Sequence, residues 1–253
     1  MLNYFFEIES QIPSTYHWTF TPTEALFQKL IQINDHTEWN NIYWRDICEN
    51  IQAYSVLTYQ RGLGIIRPVI RSLNTGDFLA SAILARSALE LSAWFIYHAR
   101  FFRNTALSIP AELSTETTRF TNNELQTKLV KLLWGTRLET VHEELKQINI
   151  LTIIKKVSEA DNANFLKPTY DYLCEATHPN IVGNAEFWEY PSDAHNSKSF
   201  TIKIRSMGCA TEPNELLTCT LGALGWSSAC YRNGMIEVRK AIEIIGEKLL
   251  LRS

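Results

Sequence analysis

Two charged side chains on one apolar stretch carry the first candidate chemistry in this chain. Arg86 and Glu90 stand four residues apart in "LARSALELSAWFIY". On a helix that spacing puts them on one face, with Ile83, Trp94 and Tyr97 as neighbours. Charges in such surroundings must be paired or solvated in a cleft, because an isolated buried charge is too costly. One reading is a salt bridge that fixes helix packing. The other is a pocket floor that binds an anion or orients a catalytic group.

The second constellation lies in "YDYLCEATHPN", Tyr170–Asn180. A helical pattern runs into His178, and Pro179 cannot continue it smoothly. The helix places Asp171, Glu175 and His178 along one side, and Tyr172, Leu173 and Ala176 along another. A protonated histidine in a last turn suits the helix dipole and can bond the final carbonyls. Alternatively it is a general acid or base presented at a helix end. Asn180 and Gly183 are turn formers in the first case and backbone donors to a ligand in the second. Tyr170 and Tyr172 are the accompanying candidates for substrate binding.

These two segments resemble a group of bacterial proteins with R-x-x-x-E on a central helix and Y-x-x-L-[SC]-x-x-x-H-P further on. That group is placed near the HEPN superfamily of α-helical proteins, many of them ribonucleases or toxins of defence systems. The resemblance covers about 74–183. Arg86 and Glu90 match the first motif; Tyr170 or Tyr172, with His178 and Pro179, match the second. It implies a HEPN-like helical bundle that binds RNA or a nucleotide and cleaves RNA without a metal. Arg86 would hold a phosphate, Glu90 would orient Arg86 or His178, and His178 would move the proton. It also implies a homodimer whose two sites share a cleft. HEPN ribonucleases usually carry R-x4–6-H; five to seven residues before His178 stand Asp171, Tyr172 and Leu173. One such spacing occurs elsewhere, Arg137–His142. Thirteen arginines and six histidines in 253 residues make roughly one match expected by chance.

Two further readings compete. The Arg, Glu and His residues could be a buried polar network in a non-catalytic interaction module. Or the two E-x-x-H spacings, Glu139–His142 and Glu175–His178, could join Glu90 and Glu159 in a carboxylate-bridged di-metal site. Proline after His178 and the break at Asp161–Pro168 work against the latter, and no metal site is assigned. Phosphate-loop, dinucleotide, nucleophile-elbow and zincin motifs have no match, so no cofactor is implied.

The elements that must position these residues are mostly helical. Apolar residues make up 45% and aromatics 11% of the sequence, enough for a true core. "TPTE" (Thr21–Glu24) and "TNNE" (Thr121–Glu124) read as capping boxes. Helices are expected over Glu38–Gln60, ending near Gly62 and Gly64, then briefly over Ile65–Leu73. "NTGD" (Asn74–Asp77) is a turn that caps the next helix. That helix, Phe78–Phe102, is apolar nearly all round and so central. Shorter helices follow near Leu138–Gln147, Leu151–Ala160 and Thr169–Thr177, with a long last one over Pro213–Leu250. Alternation at Phe200–Arg205, with "AEFWEY" as partner, predicts a small β-hairpin insertion near 185–206. The expectation is one all-α domain: N-terminal helices over 1–73, a motif-bearing core over 74–183, the hairpin region over 184–210 and a C-terminal helix over 211–253.

Charge is uneven although the net value is only -3. Residues 1–60 hold seven acids and two bases, whereas 61–103 hold six arginines, no lysine and two acids. Arginine alone suits bidentate contact with carboxylate or phosphate. Pairing with the acidic N-terminal helices is the simpler expectation. Five widely spaced cysteines form no C-x-x-C pair, so neither a zinc site nor a disulfide framework is indicated. With no basic leader and no uninterrupted apolar span, a cytoplasmic protein that does not enter a membrane is expected. Trp39, Tyr43, Trp44 and Trp94 read as core rather than base-stacking platforms.

Overall fold

The computed structural model describes residues 15–110, 116–135, 149–178, 184, 187–189, 203–204 and 215–249. Seven helices carry them: α1 Thr23–Ile31, α2 His36–Asn74, α3 Phe78–Leu107, α4 Asn123–Trp134, α5 Ile150–Ala160, α6 Leu166–Thr177 and α7 Glu215–Leu249. The all-α class is therefore established. The predicted hairpin is not seen as such. Two dipeptides, Trp188–Glu189 and Lys203–Ile204, pair antiparallel. The chain that would connect them lies outside the described residues. So do the helix expected at Leu138–Gln147, Asn180 and Gly183.

The caps differ from expectation in detail. Pro22, not Thr21, precedes α1, and no side chain caps it; Thr21 bonds to Asp46 instead. At α4 the cap shifts one residue, and Asn122 accepts from the Leu125 N–H through its side chain. Asp77 behaves as expected: Oδ1 accepts from the Ala80 N–H at 3.1 Å. The larger difference is α2, which runs unbroken for 39 residues through Gly62, Gly64 and Pro68. Proline withholds an N–H from the carbonyl four residues back. That carbonyl belongs to Gly64, which is exposed, so water can serve it.

The described chain gathers into two compact units, 1–60 with 94–153 and 230–253, and 61–93 with 154–229. In the first, Trp44, Tyr43, Tyr59, Tyr231, Phe95 and Phe102 are fully buried. Trp39 and Tyr43 stack at 5.4 Å, and Trp44 stacks on Phe120 at 5.8 Å. The early aromatics are thus core, as expected. Side chains of α2 also secure the segment leading into α4. Asn40 donates to the Thr118 carbonyl at 2.7 Å and accepts from the Phe120 N–H at 2.9 Å. Trp44 Nε1 donates to the Phe120 carbonyl, and the Tyr43 hydroxyl accepts from the Asn122 N–H. Lys248 Nζ reaches the carbonyls of Ala106, Leu107 and Ile109, where a cation complements the end of α3.

In the second unit α3 contributes a surface of small residues. Ser81, Ala82, Ala85, Ala88, Ser92 and Ala93 are all fully buried, which lets neighbouring helices approach closely. Ser92 Oγ donates to Ser227 Oγ of α7 at 3.1 Å, satisfying two buried hydroxyls. By length and composition α3 alone among the described helices could span a membrane, but half of its apolar window is buried inside the protein. Cys48 and Cys230 are buried, and Cys174 and Cys219 partly so; none of the four is in a disulfide.

Candidate functional site

Within the second unit, α3 and α6 bring the two sequence motifs together. The Arg86 Nε lies 3.3 Å from Glu90 Oε1. It is an ion pair without hydrogen-bond alignment, since the buried Nε has no hydrogen-bond partner among the described residues. The Tyr170 hydroxyl donates to the same Glu90 oxygen at 2.8 Å. The Arg86 guanidinium sits 5.7 Å from the Tyr170 ring centroid, within cation–π range. Its Nη1 donates to Thr177 Oγ1 at 3.1 Å, and Thr177 in turn donates to the Cys174 carbonyl. Moving toward the N-terminus on α3 therefore matches moving toward the C-terminus on α6, so the two helices are antiparallel here.

The local sequence explains the arrangement. Tyr170, Leu173 and Ala176 form the buried stripe of α6, and residues 170, 174 and 177 share a face at helical spacing. Tyr172 lies about 200° around the helix from Tyr170, so Tyr170 is the tyrosine that joins Arg86 and Glu90. Asp171 points elsewhere and pairs with Lys167.

Electrostatics follow from partial burial. Burial alone pulls the Arg86 guanidinium down, but Tyr170, Cys174 and Glu90 more than offset this, and its pKa ends above the ordinary value. The Tyr170 phenol is held well above its ordinary range, first by burial and then by its bond to Glu90. Burial also raises the Cys174 thiol, with Arg86 pulling the other way. Cys174 is therefore no ready thiolate nucleophile. Arg86 and Glu90 side chains remain 32% and 31% exposed. That is a water-accessible pair, not a sealed one. Of the five N–H groups of a guanidinium, one bonds to Thr177 and the buried Nε faces Glu90, so among the described residues donors remain for a ligand oxygen.

His178 is the first residue beyond α6. Its backbone is extended and its N–H donates to the Glu175 carbonyl. The imidazole is exposed and makes no bond to Arg86 or Glu90. The expected Arg86–Glu90 pairing is present, and His178 follows directly on Thr177, which Arg86 holds. Cys174 and Thr177 complete the cluster. Cys174 was marked by the [SC] position of the motif; Thr177 had no sequence signal.

The remaining expectations fall elsewhere. Arg137, Glu139 and His142 lie outside the described residues. Glu159 is exposed and faces Lys155 at 3.9 Å. Among the described residues no three His, Cys, Asp or Glu side chains gather as metal ligands would. No known family matches the chain, and no characterised protein or solved structure matches it either. Function has to be read from the site itself.

Proposed function

We propose that this is a HEPN-like protein of a bacterial defence or toxin-type system, acting in the cytoplasm on the phosphate of RNA or a nucleotide. Arg86 is the anion-binding group. Glu90 and Tyr170 position it, and His178 is the acid–base group that works beside it without a metal. The observation that carries this reading is the bond from Arg86 to Thr177. It ties a partly exposed guanidinium to the residue adjoining His178, and residues of two distant motifs meet in one place. Arginine with spare donors in a half-exposed setting is suited to phosphate oxygen. A homodimer belongs to the same proposal, with α7 as the contact; Leu221 is half exposed there and Gly222 has open space beside it. The test is cleavage of a mixed-sequence RNA by the purified protein, with His178→Ala and Arg86→Ala as controls. Activity in the wild type, lost in both variants, is expected; cleavage that survives either substitution would refute the assignment.

A second reading has its own support. Tyr170, Glu90, Arg86 and Thr177 already contact one another without any ligand, and Arg86 lies at the C-terminal end of α6, where a cation is favourable. These contacts would equally serve an interaction module held together by a polar network. Absence of any RNA cleavage, together with large stability losses in the Arg86 and Glu90 variants, would favour it.

A further inference from the structure

The arginine-rich segment noted in the sequence has a use that the Arg86 site does not absorb. From residue 50 to residue 76 there is no aspartate or glutamate, while Arg61, Arg67 and Arg71 all fall within that span. All three lie in the second unit on α2 and all are exposed. The expected pairing with N-terminal acids is not what the structure shows for two of them: among the described residues, neither Arg61 nor Arg71 has an ion-pair partner. Over 61–74 the exposed positions of α2 are Arg61, Gly64, Arg67, Arg71 and Asn74. None is apolar. Arg61 and Arg71 stand about 15 Å apart along the helix axis, with Arg67 between them.

Gly64 supplies an independent observation. A glycine inside a helix costs roughly 1 kcal/mol against alanine. A Cβ at Gly64 would meet nothing within 4 Å, so no packing contact among the described residues calls for the glycine. It leaves a flat, open strip of backbone between arginines. Close approach of something outside the chain is the physical use of such a gap.

We infer that the Arg61–Gly64–Arg67–Arg71 face of α2 docks the phosphodiester backbone of a nucleic-acid strand. The face has cations with planar, bidentate donors and room for close approach, and none of its own exposed positions over 61–74 is a carboxylate. Its exposed positions over 61–74 include none of the aromatic or aliphatic anchors on which protein–protein interfaces depend. Phosphate contact needs none. The inference goes beyond the proposed activity because neither Arg86 nor His178 takes part.

The experiment is fluorescence anisotropy with a labelled, mixed-sequence single-stranded RNA and the matching DNA, titrated across a range of salt. Wild type should bind with affinity falling steeply as salt rises. Arg61→Ala with Arg71→Ala should weaken binding roughly tenfold at low salt and flatten the log–log salt slope by about 1.4, at about 0.7 for each phosphate no longer neutralised. Gly64→Gln should raise the melting temperature while lowering affinity. That opposition separates docking from folding. In an Arg86→Ala background the same double substitution should lower affinity by the same factor, so loss of cleavage alone leaves the inference standing. Wild-type protein that binds neither strand, or a double variant that binds unchanged, would overturn it. Equal competition by polyglutamate would assign the face to an acidic protein segment and overturn it as well.

Discussion

The hydroxyl of Tyr170 and the carboxylate of Glu90 share a 2.8 Å hydrogen bond across two helices, and the same carboxylate oxygen faces Arg86. The phenol donates and Glu90 accepts, with the guanidinium on the same oxygen. The pair of formal charges is thus balanced within the site, and the phenol sets where the carboxylate sits. Tyr170→Phe keeps the ring and its place beneath Arg86 but removes the donor. The expected cost is about 1 kcal/mol, below the usual range for bonds to charged groups because water still reaches Glu90. Urea unfolding would measure it.

Arg86→Ala leaves Glu90 bonded to Tyr170 and open to solvent. Its cost should be about 1 kcal/mol, near the range for exposed pairs, and well short of the 3–5 kcal/mol for breaking a sealed pair. His178→Ala removes an exposed side chain with no bond and should change stability by less than about 0.5 kcal/mol. Chemical denaturation of both variants decides. Losses above about 3 kcal/mol in each would identify scaffold rather than site.

Half-buried Asp46 and fully buried His98, both in the first unit, should give opposite pH dependences. Burial, with Glu49 adding to it, raises the Asp46 carboxyl to about 6 from 3.8, against bonds from Thr21 and Asn50. Its folded state holds the proton more tightly than the unfolded chain. The associated stability is present below pH 3.8 and is lost as pH rises through about 6. Burial lowers His98 to about 3 from 6.5, helped by Lys128 and opposed by the Trp94 carbonyl. There the unfolded chain binds the proton first, so stability falls as pH drops from 6.5 toward 3. Melting temperatures across pH 4–7 should rise more steeply with pH in Asp46→Asn than in wild type, and less steeply in His98→Gln. The reverse order would contradict both assignments.

At Gly234 α7 lies close against α3 within the first unit. A Cβ there would lie 2.5 Å from Phe95 Cε1. Phe95 is fully buried and flanked by Tyr54 and Tyr231, so it has little freedom to move aside. Gly234→Ala should cost about 1–3 kcal/mol, as overpacking does, despite alanine's better helix propensity. Thermal denaturation that showed no loss would mean the ring yields.

What the residues revealed in advance depended on whether the deciding interaction was local. The apolar character of α3 announced a helix with many buried positions, and Asp77 announced its cap. Asn122 was displaced by one position because Thr121 and Asn122 are both competent caps. The break expected at Gly62 and Gly64 did not occur, since glycine and proline only weaken a helix and burial of its other face outweighs them. For the site, the spacing of Arg86 and Glu90 was legible because it lies within one turn of helix. The Y-x-x-L-[SC] spacing fits Tyr170, but that Tyr170 and not Tyr172 meets Glu90 depends on which side of α6 faces α3, which the sequence does not set locally. Thr177 became visible only through a contact 91 residues away in sequence.

The bonds from α2 to the segment before α4 carry one more consequence. The Phe120 and Asn122 amide protons belong to no helix or strand, yet they end on Asn40 Oδ1 and the Tyr43 hydroxyl. Those acceptors keep their positions only while the first turns of α2 are formed. In deuterium the two amides should therefore exchange in step with the amides of α2, as one cooperative opening unit. By this measure an irregular stretch of chain inherits the lifetime of the helix beneath it.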